Sequence, residues 1–155
     1  MSLKKIEHYK DSLIDELNNI SKRFKLHSLL IMESTPKSMI VFAANDQLVY
    51  RANDSGPKST QSGCHELYCE RVVNTGKELL VNDASADEEW MGNEDLVKFG
   101  LGVYYGLPLM YNDEVVGTVC ALNDRPFNFS EGNPSAIEQL TQLQVRIQQL
   151  LNSNI

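Results

Sequence analysis

The chain has 155 residues, of which 42% are hydrophobic and 23% are charged, a balance typical of one globular domain with its own core. Its formal net charge of −7 argues against a nucleic-acid partner, because phosphate binding needs clustered lysine and arginine. The longest apolar runs, residues 29–32 and 39–44, are too short to cross a membrane, and no secretory leader opens the chain, so we expect no membrane association.

Residues 3–25 are predicted to form the N-terminal helix. Apolar side chains recur there every three or four positions, which places them on one stripe of an amphipathic helix. Polar residues fill the other positions, so the helix should pack on one side only. The stripe consists of Ile6, Tyr9, Leu13, Leu17, Ile20 and Phe24.

Three strands are predicted after this helix, at residues 26–32, 39–44 and 48–51. A turn around Pro36 and a short polar turn separate them, and sequential strands of this kind usually form an antiparallel meander. Residues 52–63 are rich in Gly, Pro, Ser, Asn and Asp and are predicted to be a loop.

The middle of the chain is predicted to be mostly helical. Residues 65–74 form a helix that Gly76 caps, and residues 79–81 form a short strand. Two short helical pieces follow. Residues 85–88 have the S-x-x-E form of a capping box, and Asn93 caps the second piece.

A β-hairpin is predicted at residues 102–110 and 115–122, which are rich in Val, Tyr and Leu and are joined by a polar turn. Pro108 and Gly117 interrupt its two strands. Proline in a strand indicates an edge or a bulge, and glycine indicates a close approach of another backbone.

The C-terminal helix is predicted over residues 133–152. It begins at Asn133-Pro134, a capping residue followed by proline at the first helical position. Its apolar positions are spaced three, four and three, as in a coiled-coil seam. The two terminal helices therefore predict a homodimer, with the candidate interface residues Leu13, Leu17, Ile20, Leu140, Leu143, Ile147 and Leu150.

The order of these elements predicts a single α+β domain over residues 1–155, with a central, mostly antiparallel sheet within residues 26–124. The N- and C-terminal helices are expected on one face of the sheet, and the short central helices on the other. The chain has an odd number of cysteines, namely Cys64, Cys69 and Cys120. This odd count predicts reduced thiols and therefore a cytoplasmic location.

Five motifs in the second half of the chain resemble those of GAF domains, which are small sensory modules. They are C-x-x-V-V at residues 69–73, T-G at 75–76, L-x-V-x-D-A at 79–84, an acidic-aromatic segment at 87–90, and the hairpin Y-x-G-x-P-L…G-T-x-C at 104–120. The resemblance implies a GAF-like, PAS-related fold, a small-molecule pocket beside the sheet, and dimerisation through the terminal helices. It also implies a regulatory, non-catalytic role in a bacterial signalling protein, where such a domain controls an output domain of a longer chain.

The resemblance also directs attention to the pocket, although it does not identify the ligand or any cofactor. Alternation along a strand places Tyr104 and Tyr105 on opposite faces of the sheet, so one of them at most can line a pocket. The candidate ligand-binding residues are Thr60, Gln61, Tyr68, Cys69, Asp83, Trp90, Tyr104 and Tyr105.

Catalytic and metal sites are not predicted. No Ser-His-Asp grouping, phosphate loop or paired-carboxylate motif is evident, and the acidic run at residues 83–95 lacks the alternating oxygen ligands of a calcium loop. Cys64-His65 resembles the pair that holds bilin in GAF photoreceptors, but it lies about forty residues too early in the chain.

Two alternatives remain open for the whole domain. The first is a dimerisation scaffold that has lost its ligand. The second is a free-methionine sulfoxide reductase, because that enzyme also uses a GAF fold and cysteines. The second needs a thiolate and a nearby resolving thiol, whereas Cys64 and Cys69 would point about 140° apart on a helix.

Overall fold

The computed structural model describes residues 2–153, which contain four α-helices and six strands. The helices are α1 (Lys10–Phe24), α2 (Tyr68–Thr75), α3 (Glu94–Phe99) and α4 (Ala136–Leu151). The strands are β1 (Ser28–Ser34), β2 (Ser38–Ala44), β3 (Ser55–Pro57), β4 (Leu79–Val81), β5 (Val103–Tyr111) and β6 (Glu114–Asn123). No helix within residues 2–153 is both long and apolar enough to span a lipid bilayer.

The strands form one sheet in the order β3-β2-β1-β6-β5-β4, and every neighbouring pair is antiparallel. The hairpin β5–β6 and the pair β1–β2 therefore meet at the centre, where β1 pairs with β6. The predicted α+β fold with an antiparallel sheet is confirmed.

Each face of the sheet buries its own hydrophobic core. One core holds the inner stripes of α1 and α4, together with Leu29 and Ile31 of β1. The other holds the apolar residues of α2, with Leu30 and Met32 of β1. Because successive side chains of β1 point to opposite faces of the sheet, this strand contributes residues to both cores. The predicted placement of the terminal helices on one face is confirmed, and an ion pair between Arg146 and Glu16 joins them on the outside.

The residues predicted to form the dimer interface lie in the first of these cores. Six of them are between 0% and 6% exposed, and the seventh, Leu150, is partly buried against the same core. Their apolar stripes therefore pack on the sheet of their own chain, and these side chains do not form a surface for a second chain. The homodimer stays a prediction, and it would have to use the outer faces of the two helices.

The predicted strand at residues 48–51 is wrong, because this segment is a loop and the third strand is β3. The carbonyl oxygen of the Gln47 side chain accepts hydrogen bonds from the backbone N–H groups of Val49 and Tyr50, both at 2.7 Å. Those N–H groups are consequently satisfied within the loop and do not pair with another strand.

Four predicted helix starts also move. Helix α2 begins at Tyr68 instead of residue 65, and other side chains supply the caps of α4 and of the turns at residues 84–90. Helix α1 begins at Lys10, after a 3₁₀ segment over Ser2–Tyr9. Helix α4 begins at Ala136, where Ser135 Oγ accepts from the N–H of Glu138 in a capping box. At residues 84–90 two 3₁₀ turns replace the predicted helix, and Asp83 and Asp87 cap them. The predicted helix capped by Asn93 is confirmed as α3.

Candidate functional site

A cavity of about 210 Å³ lies on the second face of the sheet. At ~30 Å³ per water molecule, it has room for about seven waters or one small organic molecule. Strands β1, β2 and β3 supply one wall, and the loop after β2, α2 and α3 supply the other. Its lining residues are Met32, Met39, Val41, Val49, Tyr50, Asp54, Ser55, Gly56, Leu67, Cys69, Glu94, Asp95 and Phe99.

The apolar floor follows from strand geometry. Met39 and Val41 are two residues apart on β2 and so face the same side of the sheet, and Val41 is paired with Met32 of β1. All three side chains are buried. Leu67, immediately before α2, packs against this floor in the same core.

A hydrogen bond between Tyr50 and Asp95, which we call the clasp, lies in the wall of the cavity. Tyr50 Oη donates to Asp95 Oδ1 at 2.5 Å. The ring of Tyr50 also packs edge-to-face on Phe99, with 5.5 Å between ring centroids. Because Tyr50 lies on the loop after β2 whereas Asp95 and Phe99 belong to α3, the clasp holds the loop against the helix.

The Asp95 carboxyl is electrostatically unusual. Its burial raises the pKa to about 6, the hydrogen bond from Tyr50 acts in the opposite direction, and the neighbouring Glu94 carboxylate raises the pKa further. Burial of the Tyr50 hydroxyl and the negative charge of Asp95 raise the pKa of Tyr50 above its usual range. This phenol therefore stays a hydrogen-bond donor at neutral pH.

The charged side chains in the cavity wall are all carboxylates, namely Asp54, Glu94 and Asp95. Glu94 is neutralised in part by Lys98, whose ammonium nitrogen lies 3.1 Å from Glu94 Oε1. The ion pairs found within residues 2–153 include neither Asp54 nor Asp95. The wall therefore carries a negative charge that the protein does not fully compensate.

The thiols near the cavity are in their protonated form at neutral pH. Cys69 lines the cavity, and burial raises the pKa of its thiol well above the usual value. Cys120 is buried in the same core, where burial raises its pKa to about 12. Cys64 is partly exposed and lies outside the lining residues. Within residues 2–153, no group of three His, Cys, Asp or Glu side chains is placed to hold a metal ion.

The loop that leads into α2 is fixed by the buried carboxylate of Glu70, which is 1% exposed. This carboxylate accepts hydrogen bonds from Ser59 N at 3.0 Å, from Ser59 Oγ at 2.5 Å and from Leu67 N at 3.1 Å. Two candidate ligand residues, Thr60 and Gln61, follow Ser59. Thr60 is exposed and Gln61 partly exposed, and neither lines the cavity.

Replacing Ser59 with alanine is expected to lower the free energy of unfolding by about 1 kcal/mol, since a hydroxyl–carboxylate hydrogen bond at a partly exposed site is lost. Urea denaturation followed by circular dichroism measures the change. Thr60→Ala is the matched control, because the Thr60 hydroxyl bonds only to the side chain of Gln61 among the described contacts. Equal effects of the two substitutions would contradict a specific role for Glu70.

The other candidate ligand residues lie away from the cavity. Tyr68, Trp90 and Tyr104 form an aromatic cluster in the core behind α2, with ring centroids 4.8 and 5.0 Å apart. Tyr105 lies on the opposite face of the sheet against Phe129, as the alternation predicts. Asp83 is an exposed cap of a 3₁₀ turn. Of the eight candidates, the structure places Cys69 in the wall of the cavity, and a ligand contact stays a prediction for each of them.

The residues that form most of the cavity could not be found from the motifs, because they come from the half of the chain outside the resemblance. The sequence predicts a strand at Tyr50, and it contains no signal that distinguishes Asp95 from its acidic neighbours. One usable signal was present. Met32, Met39 and Val41 alternate toward one side of two neighbouring strands, and that side needs a partner layer.

Comparisons with known proteins agree with the fold. The model of the GAF domain family matches residues 16–149. The chain is similar to the GAF domain from Acinetobacter phosphoenolpyruvate-protein phosphotransferase, with 18% identity over 97% of this chain and 90% of that chain, and a TM-score of 0.63. A comparison with curated proteins finds no match.

Two further solved structures belong to proteins with different activities. One is the free methionine-R-sulfoxide reductase from Neisseria meningitidis in complex with its substrate, at 11% identity over 96% of this chain and 83% of that chain, with a TM-score of 0.64. The other is the cyanobacteriochrome receptor PixJ, at 11% identity over 97% of both chains, with a TM-score of 0.68. At such identities, the likeness shows the fold alone.

Proposed function

The chain belongs to the GAF domain family of sensory and regulatory domains, and we propose that it binds a small molecule in the cavity lined by the Tyr50–Asp95 clasp. The observation that carries the proposal is the cavity itself. It is concave, has an apolar floor, and presents a few polar groups from α3 and the loop after β2, which is the usual make-up of a small-molecule site.

The clasp supplies a physical route from binding to regulation. A ligand that contacts Asp95 competes with Tyr50 for the same carboxylate, so the loop and α3 are free to rearrange. A ligand that prefers one of the two arrangements increases its population. The floor strands β1 and β2 carry α1 on their other face, where α1 contacts α4, and α4 packs on β5 and β6. These two helices are the proposed path to an output domain or to a second copy of the chain.

A binding role is favoured over catalysis by the state of the thiols. Sulfoxide reduction requires a thiolate nucleophile, whereas the thiol that lines the cavity, Cys69, is buried and its pKa is raised. We therefore assign no catalytic residue. Reduced buried thiols also suit the cytoplasm, which is the proposed location.

Native mass spectrometry of the freshly purified protein, with an absorbance spectrum alongside, tests the proposed function. The expected result is a small molecule bound in addition to the 17.5 kDa chain, or visible absorbance from a bound chromophore. The variant Val41→Phe should lose the bound molecule, because the larger ring extends from the floor into the cavity.

Val145→Ala is the matched control, since Val145 is exposed on α4 on the other side of the sheet. It should retain the bound molecule in full. A bound molecule that survives in Val41→Phe would contradict the assignment of this cavity. A protein that is free of any ligand, both as purified and after incubation with a metabolite extract, would favour the dimerisation scaffold.

A further inference from the structure

The wall of the cavity has an apolar part and a charged part. Met32, Met39, Val41 and Leu67 form the apolar part, and the rings of Tyr50 and Phe99 lie beside the acidic groups of α3. A ligand that fits both parts has an apolar body and a polar group at one end.

The charged part is acidic and comes from two sides of the cavity. Glu94 and Asp95 reach it from the first turn of α3, and Asp54 reaches it from the loop before β3. Glu94 Oε2 approaches β3 closely, since a Cβ added to Gly56 would lie 3.9 Å from that oxygen. An anionic ligand would meet repulsion from both sides.

The buried cation next to β3, Lys58, does not offset these charges. Lys58 is buried, but its ammonium group donates to Ser34 Oγ at 2.8 Å and the residue is not part of the cavity wall. Asp95 has a neutral partner, the Tyr50 hydroxyl, and no ion pair within residues 2–153. Removing a carboxylate from water without a cationic partner is unfavourable, and a bound cation restores the missing interaction.

We infer that the ligand of this cavity is a small organic ammonium ion, with its cationic group against Asp95 and its apolar body on the Met39–Val41 floor. This inference rests on the proposed binding function. The aromatic rings of Tyr50 and Phe99 add to the selectivity, because the face of an aromatic ring attracts cations.

Three probes that share one skeleton and differ in charge test the inference. Phenethylamine is a cation at neutral pH, 2-phenylethanol is neutral, and phenylacetate is an anion. Each is titrated to about 10 mM, which saturates a site with a Kd of ~1 mM, while amide resonances are followed by ¹H–¹⁵N NMR. Phenethylamine is expected to shift the resonances of the cavity residues and to bind about tenfold more tightly than 2-phenylethanol, with phenylacetate weakest.

Asp95→Asn is the matched variant, since it keeps the shape of the side chain and removes its charge. It should reduce the preference for phenethylamine over 2-phenylethanol to about twofold or less. Retention of the full preference in Asp95→Asn would overturn the assigned position of the cation.

Tight binding of 2-phenylethanol or phenylacetate at the same residues would overturn the inferred ligand charge and leave the binding function in place. An absence of shifts at the cavity residues with all three probes would overturn the inference as well. The binding function would then be judged separately, by whether a co-purified molecule is present in the unmodified protein and absent from Val41→Phe.

Discussion

Replacing Asp95 with asparagine is expected to raise the free energy of unfolding of the ligand-free protein by about 2 kcal/mol at neutral pH. Burial raises the pKa of Asp95 from 3.8 to about 6, and a difference of that size corresponds to roughly 3 kcal/mol of unfavourable free energy in the ionised folded state. Asparagine keeps an oxygen that can accept the Tyr50 hydrogen bond, but its own desolvation removes part of the gain.

The direction of the pH dependence follows from proton binding. Between pH 3.8 and about 6 the folded protein holds a proton on Asp95 that the unfolded chain has released. The stability of the unmodified protein therefore falls as the pH rises through this window, and the full loss is present above it. The advantage of the asparagine variant should accordingly shrink to about 1 kcal/mol or less near pH 4.5.

Urea denaturation of both proteins between about pH 4.5 and neutral pH measures this difference. Glu94→Gln is the control from the same helical turn. It should change the stability by less than about 0.5 kcal/mol, because the Glu94 side chain is 27% exposed and is already paired with Lys98. A destabilising Asp95→Asn, or an advantage that does not vary with pH, would show that Asp95 is not a strained carboxylate.

Replacing Gly117 with alanine is expected to destabilise the protein by about 3 kcal/mol or more, and to reduce the yield of folded protein. A Cβ at this position would lie 2.0 Å from the carbonyl oxygen of Met32, which belongs to the neighbouring strand β1. The obstacle is backbone at the centre of the sheet, so relief requires β1 and β6 to separate. The pairing of β5 with β6 is also irregular at this point, because its register shifts between Leu109, which pairs with Gly117, and Met110.

Thermal unfolding followed by circular dichroism measures the effect. Gly56→Ala is a matched control in the same sheet, since its Cβ would meet the flexible Leu67 side chain at 3.4 Å. That variant should change the stability by less than about 1 kcal/mol. Similar losses in the two variants would mean that the central strands adjust more easily than the close approach at Gly117 indicates.

The expected stability of the Asp95→Asn variant also removes unfolding as an explanation for weaker binding. A variant that is more stable than the original protein and binds phenethylamine less well cannot have lost the ligand through unfolding. Residues at binding sites often destabilise the empty protein, because they are arranged for the ligand. Asp95 is expected to behave in this way.

The amino-acid sequence by itself determined the class of the fold, because the patterns that indicate its helices and strands are local. The apolar stripe of α1, the Val-, Tyr- and Leu-rich segments of β5 and β6 and the cap at Asn93 depend on residues within a few positions of one another. The motifs from residue 69 onward were sufficient to identify the family for the same reason. The capping errors at residues 84–90 and 133–135 arose where two neighbouring polar residues compete for one helix start.

Contacts between distant residues, in contrast, were decided by the tertiary structure alone. The spacing of Leu140, Leu143 and Ile147 fits a coiled-coil seam and a buried helix face equally well, and the packing of α4 on the sheet selects the second. The clasp joins residues 50 and 95 across a span that no periodicity connects. A ligand site formed by such contacts depends on how a loop folds back onto a helix, and the burial that makes Asp95 unusual exists only after that packing is complete.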